Sequence, residues 1–211
     1  MIASAETGSI VFVIDDDASI RATLKSLFDS VGQQVAAFDS PSEFLKTKMP
    51  DMASCLVLDV RLRGSSGLEF QAELVKSNIR IPIIFLSGHG DVPMTVRAMK
   101  AGAVEFLTKP FRDQDILDAV RIALERDRSR REEESRLARV QTLYETLTPR
   151  EREVAGLVSA GFLNKQIAAQ LGVSEITVKL HRGNLMKKME AKSLAELVVM
   201  AELLGIRRGK P

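Results

Sequence analysis

The sequence predicts an α/β unit, a doubly wound parallel sheet of five strands, followed by an all-α unit of four helices with a helix-turn-helix arrangement. Three observations carry this expectation. Short apolar runs alternate with helix-patterned stretches through residues 1–110, the signature of a parallel sheet covered on both faces. From Leu147 onward the apolar spacing is helical throughout. The charge also changes along the chain: residues 1–123 hold 13 Lys+Arg against 16 Asp+Glu, residues 124–145 hold six of each, and residues 146–211 hold 11 against six. A basic C-terminal third behind an acidic front part suits a nucleic-acid module attached to something else.

The apolar runs are Ile10–Ile14, Val35–Phe38, Cys55–Leu58, Ile81–Leu86 and Val104–Leu107. Runs such as Ile-Pro-Ile-Ile-Phe-Leu are what a strand buried on both faces looks like. Helical stretches lie between them at Ala18–Val31, Pro41–Lys48, Gly67–Asn78 and Val92–Ala101, and a fifth starts near Asp113. Residues 125–136, ERDRSRREEESR, hold no apolar side chain, no Gly and no Pro. They read as a solvated continuation of the fifth helix, with an apolar return at Leu137, Val140, Leu143, Tyr144 and Leu147. The expected division is therefore a flexible N-terminus over 1–8, an α/β domain over 9–124, a charged helical linker over 125–145 and a helical domain over 146–207.

In the helical domain, Thr148-Pro149 with Glu151 three residues on is a capping-box start. Gly161 ends that helix. Asn164–Leu171 is a short helix closed by Gly172, Ser174 caps a longer one to about Met189, and Ser193 caps a last one to about Leu204. The second and third, joined by a Gly-containing turn, form the helix-turn-helix.

Composition excludes several classes. Hydrophobic residues make up 45% and charged residues 27%, an ordinary soluble balance, and no run approaches the roughly 18 apolar residues of a membrane span. The start, MIASAETGS, has neither the basic patch nor the apolar core of a signal peptide, so the expected location is cytoplasmic. The single cysteine, Cys55, excludes an internal disulfide and a cysteine-only metal cluster, and reads as a small buried residue.

Ligands of open parallel sheets bind at the carboxyl ends of the strands. Asp15, Asp16 and Asp17 follow the first strand, Asp59 the third, Ser87 ends the fourth, and Lys109 follows the fifth just before Pro110. Carboxylates converging at one edge repel unless a cation sits among them, and Mg²⁺ is hard and oxygen-loving. A carboxylate can accept a phosphoryl group covalently, and a divalent ion, an ammonium and a hydroxyl nearby stabilise the charge that spreads over the transferring oxygens. Asp17 also reads as a helix N-cap. Asp15-x-Asp17 superficially resembles the aspartyl-phosphate phosphatase motif, an enzyme reading that leaves Asp59 and the helix-turn-helix unexplained.

VFVIDDD, LVLDVRL and FLSGHGDVPMTVRAMKAGAVEFLTKPF, with the spacing between them, resemble the receivers of bacterial two-component response regulators, most of all the FixJ/NarL type, over nearly all of residues 10–125. The resemblance implies a flavodoxin-like, CheY-like fold and no enzyme. It implies that a histidine kinase phosphorylates Asp59, and that Asp16 and Asp59 hold Mg²⁺ with the Arg61 carbonyl, Asp15 helping through water. Lys109 would pair with the phosphoryl group, Ser87 would hydrogen-bond it, and Phe106 would turn inward on activation. Positions 61 and 89 of this family shape water access, so Arg61 and His89 are expected to tune the lifetime of the acyl phosphate. One departure stands out: Leu62-Arg63 replaces the usual Met-Pro, which should loosen the loop and adds positive charge beside the site. Ser87 stands where Thr is common and keeps the hydroxyl.

LTPREREVAGLVSAGFLNKQIAAQLGVSEITVKLHRGNLMKKMEAKSLAELV resembles the LuxR-type helix-turn-helix. A recognition helix sets its N-terminal residues against base edges in the major groove of double-stranded DNA, while Lys and Arg reach phosphates. The expected DNA-binding residues are Ser174, which the helix presents, Thr177, Val178, Lys179 and His181 or Arg182 at the groove, and Lys165 and Lys187 on phosphates, with Ile176, Leu180, Leu185 and Met189 on the core side. Lys179 is the leading base-contact candidate by resemblance. Glu151 and Gly161 match fold-holding positions, and Ala155 stands where Leu is usual. Gly183, in mid-helix, leaves one groove-facing position without a side chain. The family pattern further implies homodimerisation on phosphorylation, with RNA polymerase as an additional candidate partner.

Overall fold

A computed structural model describes residues 8–88 and 91–206. The expected flexible N-terminus falls outside these residues except for Gly8, and His89 falls outside them too. The chain divides into two compact units between Arg131 and Glu132.

In the first unit, β1 (Ser9–Ile14), β2 (Gln34–Phe38), β3 (Ala53–Asp59), β6 (Ile83–Ser87) and β7 (Glu105–Thr108) form one parallel sheet in the order β2-β1-β3-β6-β7. The helices between them are α1 (Ala18–Ser30), α2 (Pro41–Leu45), α3 (Gly67–Lys76) and α4 (Val92–Lys100). The central strand β3 is buried at every residue, as its unbroken apolar run requires when both faces are covered. Alternate residues feed two cores. Phe12, Ile14, Leu56, Leu58 and Phe85 face one side, and Val11, Val13, Val57, Ile84 and Leu86 the other. The buried Cys55 belongs to the second, and its thiol is pushed far above the ordinary range by burial.

The chain leaves β1 toward β2 and returns to place β3 on the other flank of β1. That reversal opens a crevice beyond the carboxyl ends of β1 and β3. A short antiparallel pair absent from the sequence expectation, β4 (Arg61–Leu62) with β5 (Ser65–Ser66), follows at once.

Helix α5 (Asp113–Glu145) is 33 residues long. Its charged middle is less solvent-facing than its composition suggests. Asp127 is fully buried, accepts the Ser54 N–H at 3.0 Å, and is paired with Arg130 at 2.6 Å and Arg131 at 2.7 Å. The first compact unit thus keeps hold of this helix to Arg131. Asp127 satisfies the buried N–H of Ser54 and so ties this turn of the helix to β3.

The second unit contains the last turns of α5 with α6 (Pro149–Ser159), α7 (Asn164–Leu171), α8 (Glu175–Lys188) and α9 (Leu194–Leu203). Val140 and Leu147 join its core with Val154, Ala155, Val158, Ile167, Val178 and Leu185. Helix α6 starts with the capping box: Thr148 Oγ1 accepts the Glu151 N–H, and Glu151 Oε2 accepts the Thr148 N–H at 2.9 Å. Glu151 is buried. Burial would raise its carboxyl, but the Lys188 ammonium at 2.7 Å and the Thr148 N–H outweigh that and hold it below its usual range. Gly172 closes α7 at φ 64°, a left-handed position that glycine takes without cost.

Candidate functional sites: an acidic crevice and a recognition helix

The crevice is built from strand ends. Asp15 and Asp16 leave β1, and Asp59 is the last residue of β3. Single oxygens of these three carboxylates lie within 4.8 Å of one another, with Asp15 and Asp59 buried and Asp16 half-buried. Asp17 does a different job: its carboxylate accepts the Ser19 hydroxyl at 2.6 Å and the Ser19 N–H at 2.8 Å, which caps α1 and holds the carboxyl below its usual range.

Lys109 closes the crevice from the end of β7. Its backbone N–H donates to the Ser87 carbonyl at 2.7 Å, tying it to the end of β6. Its Nζ donates to Asp15 Oδ2 and Asp59 Oδ2, both at 2.6 Å. Burial would lower this ammonium, but the two carboxylates outweigh it and hold it above the ordinary lysine range. Burial raises the Asp15 carboxyl, only partly offset by Lys109 and the Asp17 N–H.

Ser87 is fully buried and one residue past Leu86, the register partner of Asp59. Phe106 is half-buried on β7, its ring 6.3 Å from that of Phe85. Asp59 Oδ1 accepts the Arg61 N–H at 2.9 Å, and the Arg61 carbonyl lies on the loop that follows β3.

From the sequence alone, Arg63 is extra charge on a loosened loop. The loop is instead zipped by the pairs Arg61↔Ser66 and Leu62↔Ser65, with Gly64 at φ 81° in the turn. Arg63 Nε donates to Asp16 Oδ2 at 3.0 Å. An ion pair and a ladder thus stand where proline rigidity was missing. Three hard carboxylate donors in reach of one point fit a small divalent cation, and the two protein cations drawn onto them show how strongly the crevice demands positive charge.

In the second unit, the exposed face of α8 consists of Glu175, Ile176, Lys179, Leu180, Gly183, Asn184 and Lys187. This corrects the sequence expectation at three positions. Val178 is fully buried in the core, whereas Ile176 and Leu180 are 79% and 63% exposed. The buried stripe runs Val178, Leu185, Met189. Residues two apart on a helix are rotated by about 200°, so Ile176 and Leu180 cannot share a face with Val178. An open space stands where a Gly183 side chain would be.

Ser174 Oγ caps α8 by accepting the Thr177 N–H at 3.1 Å and lies 2.8 Å from the Thr177 hydroxyl. His181 and Arg182 are half-buried, and Arg182 donates to Asn164 Oδ1 at 3.1 Å, bracing α7 against α8. Lys165, in the first turn of α7, is exposed.

Comparison with known proteins matches each unit to a known family. Residues 11–121 match the response regulator receiver domain family, and residues 145–201 match the bacterial regulatory proteins of the luxR family. Nodulation protein W of Bradyrhizobium diazoefficiens is 61% identical over 202 residues, covering 96% of this chain and 89% of that protein. Response regulator protein TmoT of Ectopseudomonas mendocina is 45% identical over 196 residues, 93% of this chain and 89% of that protein. Among solved structures, response regulator StyR aligns with a TM-score of 0.83 at 47% identity, covering 92% of this chain and 98% of that one. Full-length FixJ from B. japonicum aligns with a TM-score of 0.55 at 37% identity, covering 94% and 98%.

The chain therefore belongs to the response regulators that join a receiver to a LuxR-type DNA-binding domain. It is a transcription regulator and not an enzyme. Among the described residues no helix is long and apolar enough to cross a membrane.

Proposed function

We propose that a cognate histidine kinase phosphorylates Asp59, and that this controls homodimerisation and sequence-specific binding to double-stranded DNA in the cytoplasm. Residues 9–124 act as receiver, 125–145 as helical connector and 146–207 as DNA-binding domain, with RNA polymerase as a further partner at the promoter. The observation that carries this is Lys109 Nζ bridging Asp15 and Asp59 at 2.6 Å, beside Asp16, in a chain that also carries the helix-turn-helix.

In the reaction a carboxylate oxygen of Asp59 attacks the phosphorus of a phosphohistidine. The new O–P bond forms as the N–P bond breaks, and the imidazole leaves with the electron pair. Asp16, Asp59 and the Arg61 carbonyl would hold Mg²⁺, with Asp15 acting through water. When bound, the ion neutralises charge on the transferring phosphoryl oxygens. Lys109 then exchanges one of its carboxylate bonds for a phosphoryl oxygen. Ser87 moves its hydroxyl to another, and Phe106 turns toward the space this leaves. Arg61 and His89 tune water access to the acyl phosphate. Exchanging both is expected to change the dephosphorylation rate, and an unchanged rate would remove that role.

On DNA, Lys179 reaches base edges, while Ile176 and Leu180 meet thymine methyl groups and Lys165 and Lys187 meet phosphates. Ser174, Thr177, His181 and Arg182 border this face. Val178 provides a control inside the same helix. Val178→Ala is expected to cost about 2 kcal/mol of domain stability, whereas Lys179→Ala should leave the melting temperature unchanged and weaken specific binding about tenfold. Equal loss of DNA affinity from Val178→Ala without loss of stability would return Val178 to the groove.

The test of the whole reading is the light-scattering mass of the full-length chain in Mg²⁺, with and without beryllofluoride, a phosphoryl mimic. A twofold rise for the unmodified chain and none for Asp59→Asn is the expected result. A monomer under both conditions would overturn control by dimerisation. A rise that survives Asp59→Asn would overturn Asp59 as the acceptor.

A further inference from the structure

Each carboxylate of the crevice already has a cation from the protein. Lys109 serves Asp15 and Asp59, and Arg63 serves Asp16. The two cations are held differently. Lys109 has 19% of its side chain exposed and follows a sheet strand, so its position is set by the core. The Arg63 side chain is 86% exposed at the tip of the β4–β5 hairpin, and it pairs with Asp16 at 3.0 Å. Arg63 can therefore leave at little cost, whereas Lys109 cannot.

The hairpin aims Arg63 at that carboxylate. Gly67 N donates to the Val60 carbonyl at 2.9 Å and fixes the far end of the loop against β3. The pair Arg61↔Ser66 fixes the near end. Four residues, Leu62 to Ser65, then reverse the chain with Gly64 in the left-handed region, which places position 63 at the mouth of the crevice.

We propose that Arg63 is a tethered competitor of the divalent metal. It neutralises Asp16 while the site is metal-free and has to swing off that carboxylate before the metal can take it. This rests on the reading of the acidic crevice as the metal site that serves Asp59. Arg63 then raises the metal concentration needed to ready the receiver, and couples metal entry to release of the hairpin tip. Because the ion pair is exposed, salt screens it, so its influence is largest at low ionic strength.

The experiment is calorimetric titration of MgCl₂ into the full-length, unphosphorylated chain, carrying Arg63→Gln, Arg63→Lys, Asp16→Asn or no change, at low and high salt. Removing one positive charge from beside a divalent ion is expected to tighten the Mg²⁺ dissociation constant about three- to tenfold for Arg63→Gln. Arg63→Lys should stay near the unmodified value, and the Gln effect should shrink toward onefold as salt rises. The ¹⁵N-detected Nε–H signal of Arg63 should also shift on Mg²⁺ saturation, a change that a purely structural arginine would not show. An Arg63→Gln constant equal to or weaker than the unmodified one at low salt overturns the proposal, as does an Arg63 signal indifferent to Mg²⁺. If Asp16→Asn binds Mg²⁺ as well as the unmodified chain, the metal-site reading itself has failed, whatever Arg63 does.

Discussion

Gly67→Ala is expected to cost the receiver about 3 kcal/mol, because the added methyl meets backbone and not a movable side chain. A Cβ at this position overlaps the Asp59 carbonyl oxygen and lies 3.1 Å from the Val60 Cα. Gly67 opens α3 while its N–H donates to the Val60 carbonyl, so the helix start is pressed against the end of β3. Relief requires either α3 to move out or β3 to bend at Asp59. In calorimetry on the full chain, the receiver transition should fall by roughly 10 °C while that of the DNA-binding domain stays put. Beryllofluoride uptake should weaken in parallel, since the carboxylate moves with its backbone. A receiver transition within about 2 °C of the unmodified protein would show that the strand end yields freely.

Lys109→Met should have an effect of similar size by a different route. It removes the cation that bridges two buried carboxylates, and an uncompensated buried charge costs about 3–5 kcal/mol. The pH dependence follows from the direction of the shift. Burial already raises Asp15, and without Lys109, which partly offsets it, Asp15 rises further. A carboxyl whose folded value lies above its unfolded one destabilises the fold when ionised, and that penalty disappears as pH falls below the unfolded value. The loss from Lys109→Met should therefore be greatest near neutral pH and shrink on acidification to about pH 4, where the carboxyls take up protons. Adding Mg²⁺ at pH 7 should restore part of it. Urea unfolding at a series of pH values, with and without Mg²⁺, measures both effects. A loss that does not depend on pH or on Mg²⁺ would mean that Lys109 stabilises through packing and not through charge.

Both predictions concern residues whose importance shows at different levels. Lys109 is visible in the sequence because it follows the fifth apolar run and precedes a proline. Gly67 is visible only as a helix start, and the backbone it touches becomes apparent only when α3 is laid against β3.

The same division runs through the molecule. Periodicity determined the five parallel strands, the helices between them and the capped helices of the second unit, because these are set by residues within a few positions of each other. It also determined which functional groups gather at one sheet edge, since in a parallel sheet all carboxyl ends point the same way. Which cation sits on which carboxylate was decided by the tertiary structure. Arg63 and Asp16 are 47 residues apart, Lys109 and Asp15 are 94 apart, and Ser54 and Asp127 are 73 apart. No local pattern specifies such pairs. They follow from strand order and from the demand of buried polar groups for a partner. Helix α8 illustrates the limit within a single element. Its apolar residues, Ile176, Val178, Leu180, Leu185 and Met189, are too many for one face, so composition leaves two registers open. Packing against α6 and α7 buries Val178 and leaves Ile176 and Leu180 to the solvent.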